Sequence, residues 1–282
     1  MPVFDGNQAA QEHLLEIAKH CIQAALSAPQ VTGRLKIKTK IITGEELIPM
    51  VKIYEELAKT RNVVYVICYK MYKALYDRGE MPVMLLFGAD LSQSPGFEWN
   101  CGACGFKTCL EFDKYSRENR GMGMVSDRPS CNWMALDFGI ACDWACAAAY
   151  QYNIPSRIET FGGVIFKLLG YLPECNCLMS LPLGPCKDLV YLVRYGTEMA
   201  YTEEEWKNAM LNVGVGLFQM FSGFKPQIKG TNKWWERPPQ YYRIAEDPEF
   251  DKLRGEIRDR ISEIAQEYRK RTLSERKALS EK

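Results

Sequence analysis

Four cysteines with close spacing are the residues best suited to chemistry in this 282-residue chain. Cys101, Cys104 and Cys109 fall within nine residues, and Cys131 completes the pattern C-x2-C-x4-C-x21-C. Such a dense group of thiols needs a tight turn, which Gly102 and Gly105 can form. Small glycines also let backbone N–H groups approach cluster sulfurs and tune a reduction potential. Four thiolates with this spacing favour a [4Fe-4S] cluster.

Three other readings of the same cysteines stay open at this point. Structural zinc also takes four thiolates, but zinc ribbons usually pair two short C-x2-4-C knuckles, and a second knuckle is missing here. A thioredoxin-like redox pair would use Cys101 and Cys104 and leave the third nearby thiol without a role. Buried, inert thiols are the remaining alternative, because cysteine buries readily.

Five more cysteines form a candidate second metal group, which could hold another iron–sulfur cluster. Its members are Cys142, Cys146, Cys175, Cys177 and Cys186. Cys142 and Cys146 lie four positions apart in an Ala-rich segment, so they share a helix face and could equally be small core residues. The other three lie in turn-like sequence, where core packing explains them less well. Cys21 and Cys68 fall on expected core elements and are read as structural.

The overall composition narrows the function classes. Thirty-six Lys and Arg balance 35 Asp and Glu, a net charge of +1, which argues against a strongly basic nucleic-acid binder. The chain has eleven Cys, which is an odd number, and no secretory leader is recognisable. These two features predict a reducing, cytoplasmic location. Only two His are present, so most hydrolase mechanisms are disfavoured. The longest uncharged stretch, 208–224, is too short for a membrane span.

Apolar spacing and breaker residues predict the elements that must position these cysteines. Helices are expected at 11–27, 43–57, 71–76, 133–150, 161–169, 202–221 and 247–282, and strands at 36–42, 63–69, 83–87 and 177–183. The predicted class is α+β, with a mixed sheet flanked by helices, an inserted iron–sulfur loop and a long C-terminal helix. Residues 1–195 would form the iron–sulfur domain. Residues 196–282 would form a helical extension packed on that domain or on a partner.

Several stretches carry a family resemblance. The segment Cys101-Gly-Ala-Cys-Gly-Phe-Lys-Thr-Cys109 resembles the CGxCGxxxC loop of the iron–sulfur domain in corrinoid iron–sulfur proteins and electron-transport subunits. More specifically, this loop and the segments 25–33, 42–47, 129–131 and 136–141 resemble an uncharacterised prokaryotic family of ferredoxin-domain proteins. The resemblance implies that the family's cluster ligands correspond to Cys101, Cys104, Cys109 and Cys131. It implies a cofactor and leaves the reaction open.

A fainter similarity to flavin nitroreductases concerns the fold. Their first helix ends in an Ala-Pro turn before a strand, as at Ala28-Pro29. This similarity implies a nitroreductase-like sheet and suggests FMN as a second cofactor. However, the Asn-x-Gln-Pro segment that contacts the flavin in that family is absent, and residues 30–34 stand in its place.

The expected function is therefore an iron–sulfur redox protein that acts in electron transfer or as a subunit of a redox enzyme. It would work with a redox partner protein, as a homo-oligomer or within a complex, and without nucleic acid. The alternatives are an FMN-dependent reductase with an accessory cluster and a zinc-stabilised interaction protein.

Overall fold

A computed structural model describes residues 3–60, 63–119, 126–184 and 248–280. In chain order the elements are α1 (Gly6–Ser27), β1 (Lys38–Ile42), a 3₁₀ helix (Gly44–Leu47), α2 (Ile48–Ala58), α3 (Val63–Asp77), β2 (Val83–Ala89), α4 (Cys109–Glu118), α5 (Asn132–Gln151), α6 (Thr160–Leu168), β3 (Cys177–Leu183) and α7 (Pro248–Ser280). The described residues fall into two compact units. The first unit contains the described parts of 3–50, 74–184 and 265–280; it carries the sheet and every site discussed below.

The sheet has the order β1-β2-β3. Both strand pairs are antiparallel, with Lys40 opposite Leu86 and Leu85 opposite Leu181. All seven residues of β2 are buried, as expected for a central strand covered on both faces. The predicted α+β class is confirmed, and the sheet of the described strands is wholly antiparallel where the sequence suggested a mixed one.

Helices α1 and α5 cover one face of this sheet. Their apolar residues, among them Leu14, Ala18 and Phe138, pack with Leu85 and Phe87 of β2 in the main core. This packing explains why the helix predicted at 133–150 is so rich in alanine, because small side chains let α1 and α5 approach closely.

Helix α6 packs against β3 through two adjacent glycines. A Cβ on Gly163 would lie 2.1 Å from the carbonyl oxygen of Leu178, and one on Gly162 would lie 2.1 Å from Oγ of Ser180. Close helix–strand packing therefore accounts for the Gly162-Gly163 pair, without any dinucleotide motif. The helix ends near Gly170, which has a φ of 87° and acts as the predicted C-terminal glycine.

The strand predicted at 63–69 is wrong, because these residues begin helix α3. Their β-branched and aromatic side chains favour a strand locally, but a short apolar run cannot by itself distinguish a strand from a buried helix. The run continues without a breaker to Asp77, which is too long for a typical strand. On the helix, Tyr72 stacks on Tyr54 of α2 with ring centroids 5.6 Å apart.

The helix predicted to begin at Thr43 also differs. Gly44 has a φ of 60°, and a 3₁₀ helix precedes α2. The Thr43 side chain makes no capping hydrogen bond, so Thr43 and Glu46 do not form the capping box that a Thr-x-x-Glu pattern can produce. Pro49 lies in the first turn of α2, where proline is favoured, and it was the better signal for the start of this helix.

The long C-terminal helix is confirmed as α7. Ile257, Ile264 and Tyr268 of its predicted apolar stripe are buried. Within the first unit, the Tyr268 hydroxyl contacts Glu46 and Tyr171. No helix among the described residues is both long and apolar enough to cross a membrane. The helix predicted at 202–221 lies outside the described residues.

Candidate metal centre

The four cysteines of the C-x2-C-x4-C-x21-C pattern line one pocket, called the cysteine pocket below. It lies between the cysteine loop, residues 99–109, and the start of α5. Across the described residues, no three His, Cys, Asp or Glu side chains are grouped so as to hold a single metal ion.

Left-handed backbone conformations shape the cysteine loop. Gly102 and Gly105 have φ of 72° and 86°, and the Gly105 N–H donates to the Gly102 carbonyl oxygen at 2.9 Å. These are the two glycines that the sequence assigned to the turn. Asn100 also has a positive φ, 48°, and its Oδ1 accepts a hydrogen bond of 2.9 Å from the Cys109 N–H. Asn100 thus ties the two ends of the loop together.

Two of the four cysteines lie at helix N-termini. Cys109 is the first residue of α4, where Thr108 and Glu111 form a complete capping box. Cys131 is the N-cap of α5, and its N–H donates to the Leu91 carbonyl oxygen at 2.8 Å. Unpaired N–H groups and the helix dipole stabilise negative charge at such positions. Helix α4 was missed in the sequence, although the Thr-x-x-Glu pattern at 108–111 signals its start.

The thiols differ in their electrostatics. The backbone N–H of Ala103 and the indole N–H of Trp133 lower the pKa of the exposed Cys101 thiol. The indole Nε1 donates to Cys101 Sγ over 3.3 Å. Burial raises the pKa of the Cys131 thiol, and the backbone N–H groups of Met134 and Trp133 act in the opposite direction. A bound cation or cluster would have to supply the charge that keeps Cys131 ionised.

Aromatic rings form the outer wall of the cysteine pocket. Trp133 meets Trp99 edge-on at 6.1 Å between centroids, and Trp99 stacks on Phe97 at 5.3 Å. The Arg34 guanidinium lies over the Phe97 ring, 4.9 Å from its centroid. Phe97 and Trp99 remain 41% and 42% exposed. Trp133 was not among the predicted site residues, although it comes two residues after Cys131.

The buried carboxylate of Asp137, on α5, holds the segment that precedes Arg34. Asp137 is fully buried and accepts hydrogen bonds from the Val31 N–H at 2.6 Å and the Thr32 N–H at 3.0 Å. The Thr32 hydroxyl donates to the same carboxylate at 2.5 Å. These bonds fix the segment that presents Arg34 to Phe97. Asp137 was also missed, although an acid within an apolar helix face is a recognisable signal.

The described cysteines of the second group occupy three separate environments. Cys142 and Cys177 line a different cavity from the cysteine pocket. Cys146 Sγ lies 3.4 Å from Ser156 Oγ, and a Cβ on Gly88 would lie 3.0 Å from Cys175 Sγ. Burial raises the pKa of Cys177 to about 11. Cys186 lies outside the described residues, and a second cluster stays a prediction.

The fold and the pocket together define an α+β protein with four thiols at a loop–helix junction. Residues 127–191 match a family described as "Uncharacterized protein containing a ferredoxin domain", which confirms the resemblance expected from the sequence. The matched segment includes Cys131 and α5 but not the cysteine loop.

A relative and the solved structures complete the comparison. Over 162 residues the chain is 29% identical to an "Uncharacterized protein" of Archaeoglobus fulgidus, an alignment that covers 57% of this chain and 81% of that protein. No solved structure matches the chain.

Proposed function

We propose that this protein is an iron–sulfur redox protein whose [4Fe-4S] cluster is held by Cys101, Cys104, Cys109 and Cys131. The observation that carries the proposal is that all four thiols line one pocket. A bound cluster would supply one-electron transfer, with a potential set by its hydrogen bonds and solvent exposure. The match to a family with a ferredoxin domain supports the same cofactor class.

The spacing of the cysteines favours a cluster over a single zinc ion, because the second C-x2-4-C knuckle usual in zinc ribbons is missing. Zinc requires four sulfurs about 2.3 Å from one point, so its ligands must converge closely. A cluster has its iron atoms at separate corners, so its four cysteines stand around a common space. All four cysteines lie in the lining of the cysteine pocket, which is compatible with a cluster bound there.

The surrounding residues fit an anionic cofactor. The N-termini of α4 and α5 present N–H groups at Cys109 and Cys131, and the Trp133 indole N–H reaches Cys101. Phe106 and Phe112 contribute apolar surface to the lining of the cysteine pocket. Hydrogen bonds to thiolate sulfurs and a low local dielectric are the two means by which a protein tunes such a cofactor.

The biological role that we propose is electron transfer to a redox partner in the cytoplasm, either as a homo-oligomer or as a subunit of a redox enzyme. The partly exposed rings of Phe97 and Trp99 lie beside the cysteine pocket, where a partner would have to approach. FMN, the fainter expectation from the sequence, gains no support from the comparisons.

The test is an anaerobic preparation of the full chain with iron, sulfide and zinc analysis and EPR after reduction. We expect about four irons and four sulfides per chain, as for one [4Fe-4S] cluster. Cys131→Ser should lose iron, whereas the matched control Cys68→Ser, outside the pattern, should keep it. About eight irons would also support the second cysteine group. A colourless protein with one zinc, or equal iron in both variants, would overturn the proposal.

A further inference from the structure

A second cavity, of about 470 Å³, lies between α5 and β3 and is called the α5–β3 cavity below. Its size falls within the range of sites for small organic molecules. Leu91 lines the α5–β3 cavity and also accepts the hydrogen bond from the Cys131 N–H. Ala135, another lining residue, follows Cys131 by four positions, a rise of about 6 Å along a helix. The cavity therefore adjoins the candidate metal centre.

The walls of the α5–β3 cavity are mostly apolar, and Asp143 is the one charged residue among the described residues of the lining. Phe138 and Met179 contribute apolar surface, and the thiols of Cys142 and Cys177 lie at residues only 3% and 2% exposed. Burial raises the pKa of both thiols, so they are neutral at physiological pH. Such walls suit the body of a neutral, mainly hydrocarbon ligand.

One hydroxyl in the wall is available to a ligand. Ser130 Oγ makes only a long contact, 3.5 Å to Ser126 Oγ, among the hydrogen bonds of the described residues. Ser126 Oγ itself donates to the Arg128 carbonyl at 2.8 Å and accepts from Asn176 Nδ2 at 2.9 Å, so its bonding capacity is used. The Ser130 hydroxyl can turn toward a carbonyl oxygen in the cavity at little cost.

Gly139 also lines the α5–β3 cavity, at an exposed position of α5. It lies in the interior of this 20-residue helix, where glycine is less favourable than alanine. A Cβ at this position would meet nothing within 4 Å. Packing within the described residues therefore does not require a glycine, but a ligand in the α5–β3 cavity would lie against this position.

We propose that the α5–β3 cavity binds a small, largely apolar molecule of the quinone class, with a carbonyl oxygen that accepts a hydrogen bond from Ser130. The mainly apolar lining suits a hydrocarbon body, the Asp143 carboxylate disfavours an anionic ligand, and the Ser130 hydroxyl can donate to a carbonyl group. The choice of a redox-active member of that class rests on the proposed function, because the cavity adjoins the cluster site. Binding itself requires only the cavity.

The experiment uses 2,3-dimethyl-1,4-naphthoquinone, whose methyl groups hinder addition of the cavity thiols to the ring. It is titrated by calorimetry into the full chain, both iron-loaded and iron-free. Gly139→Leu fills the cavity, and Gly255→Leu is the matched control, since Gly255 is also a helix glycine with no neighbour of its Cβ position within 4 Å. Circular dichroism melts establish that each variant is folded.

We expect one quinone per chain, at least tenfold weaker binding to Gly139→Leu, and unchanged binding to Gly255→Leu. If Gly139→Leu fails to fold, Gly139→Ala should still weaken binding measurably. No saturable binding, or equal affinity in the wild type and the folded Gly139 variant, would overturn the assignment. Quinone binding by a chain that never takes up iron would support the cavity and contradict the cluster. An iron-loaded chain that binds no quinone would support the cluster and contradict the assignment of the cavity.

Discussion

The buried Asp137 offers a sharp test of how the candidate centre is supported. We predict that Asp137→Asn destabilises the first unit substantially while leaving the shape of the side chain almost unchanged. The carboxylate accepts three hydrogen bonds, from the Val31 N–H and from the N–H and hydroxyl of Thr32. An amide has one acceptor oxygen, so its NH2 group must face at least one of these donors.

The magnitude follows from these three bonds. A hydrogen bond to a charged group contributes about 1.5–3 kcal/mol and a neutral one about 0.5–1.5 kcal/mol. Asparagine loses one bond entirely and converts the other two from charged to neutral, while it relieves the cost of burying a charge. The net loss of unfolding free energy should be about 2–4 kcal/mol. Asp143→Asn, an exposed position on the same helix, should change it by less than about 0.5 kcal/mol.

Urea unfolding of the iron-free chain measures the effect, and a double-mutant cycle with Thr32→Val identifies its origin. If the hydroxyl bond is real, Thr32→Val should cost much less in the Asp137→Asn background than in the wild type. Amide hydrogen exchange at Val31 and Thr32 should accelerate in Asp137→Asn. Equal stability of the Asp137→Asn and Asp143→Asn variants would refute the reasoning, as would purely additive effects in the cycle.

Three further predictions concern packing, pH and the cluster. Gly163→Ala places a methyl group against a strand carbonyl and should lower the free energy of unfolding by about 1–3 kcal/mol or more. Gly139→Ala should leave it unchanged or raise it by up to about 1 kcal/mol. Equal urea midpoints for the two variants would contradict this. Burial raises the pKa of Cys21 to about 12, so the folded chain keeps a proton that the unfolded chain loses above pH 9. Between pH 9 and 12 the wild type should therefore lose about 1.4 kcal/mol per pH unit more than Cys21→Ala, and parallel pH profiles would contradict the assignment. Trp133→Phe removes the N–H donor to Cys101 Sγ and should lower the reduction potential of the cluster, because that bond stabilises added negative charge; an unchanged potential in voltammetry would exclude this role.

The sequence predicted the elements whose boundaries are marked by local chemistry. The structure confirms two predicted strands, at 83–87 and 177–183, and two predicted helices, at 133–150 and 161–169. These predictions succeeded because each element ends at a clear breaker or cap. Where the local signal was ambiguous, as at 63–69, tertiary packing decided the outcome. The apolar runs 63–69 and 83–87 both contain branched side chains. Only the packing around each run distinguishes the helix at 63–69 from the strand at 83–87.

The supporting residues of the site could not be predicted in the same way, because their partners are remote in sequence. The Asp137 carboxylate binds residues about a hundred positions earlier, and the Trp133 indole reaches a thiol 32 positions away. No spacing rule connects such residues before the fold is known. The shared pocket of the four cysteines is the exception, because three of them are local and the fourth lies two residues before the helix predicted at 133–150.

Position relative to a helix terminus also separates the first group of cysteines from the second. Cys131 and Cys142 are both buried and belong to the same stretch of chain. Burial raises the pKa of Cys131, but at the N-cap this thiol faces N–H groups that no helical carbonyl uses, and these groups oppose the rise. Cys142 lies mid-helix, where every backbone N–H is already paired, and burial raises its pKa strongly. The proposed anionic cluster would therefore find N–H donors at the start of α5, and a neutral ligand is better suited to the cavity further along the same helix.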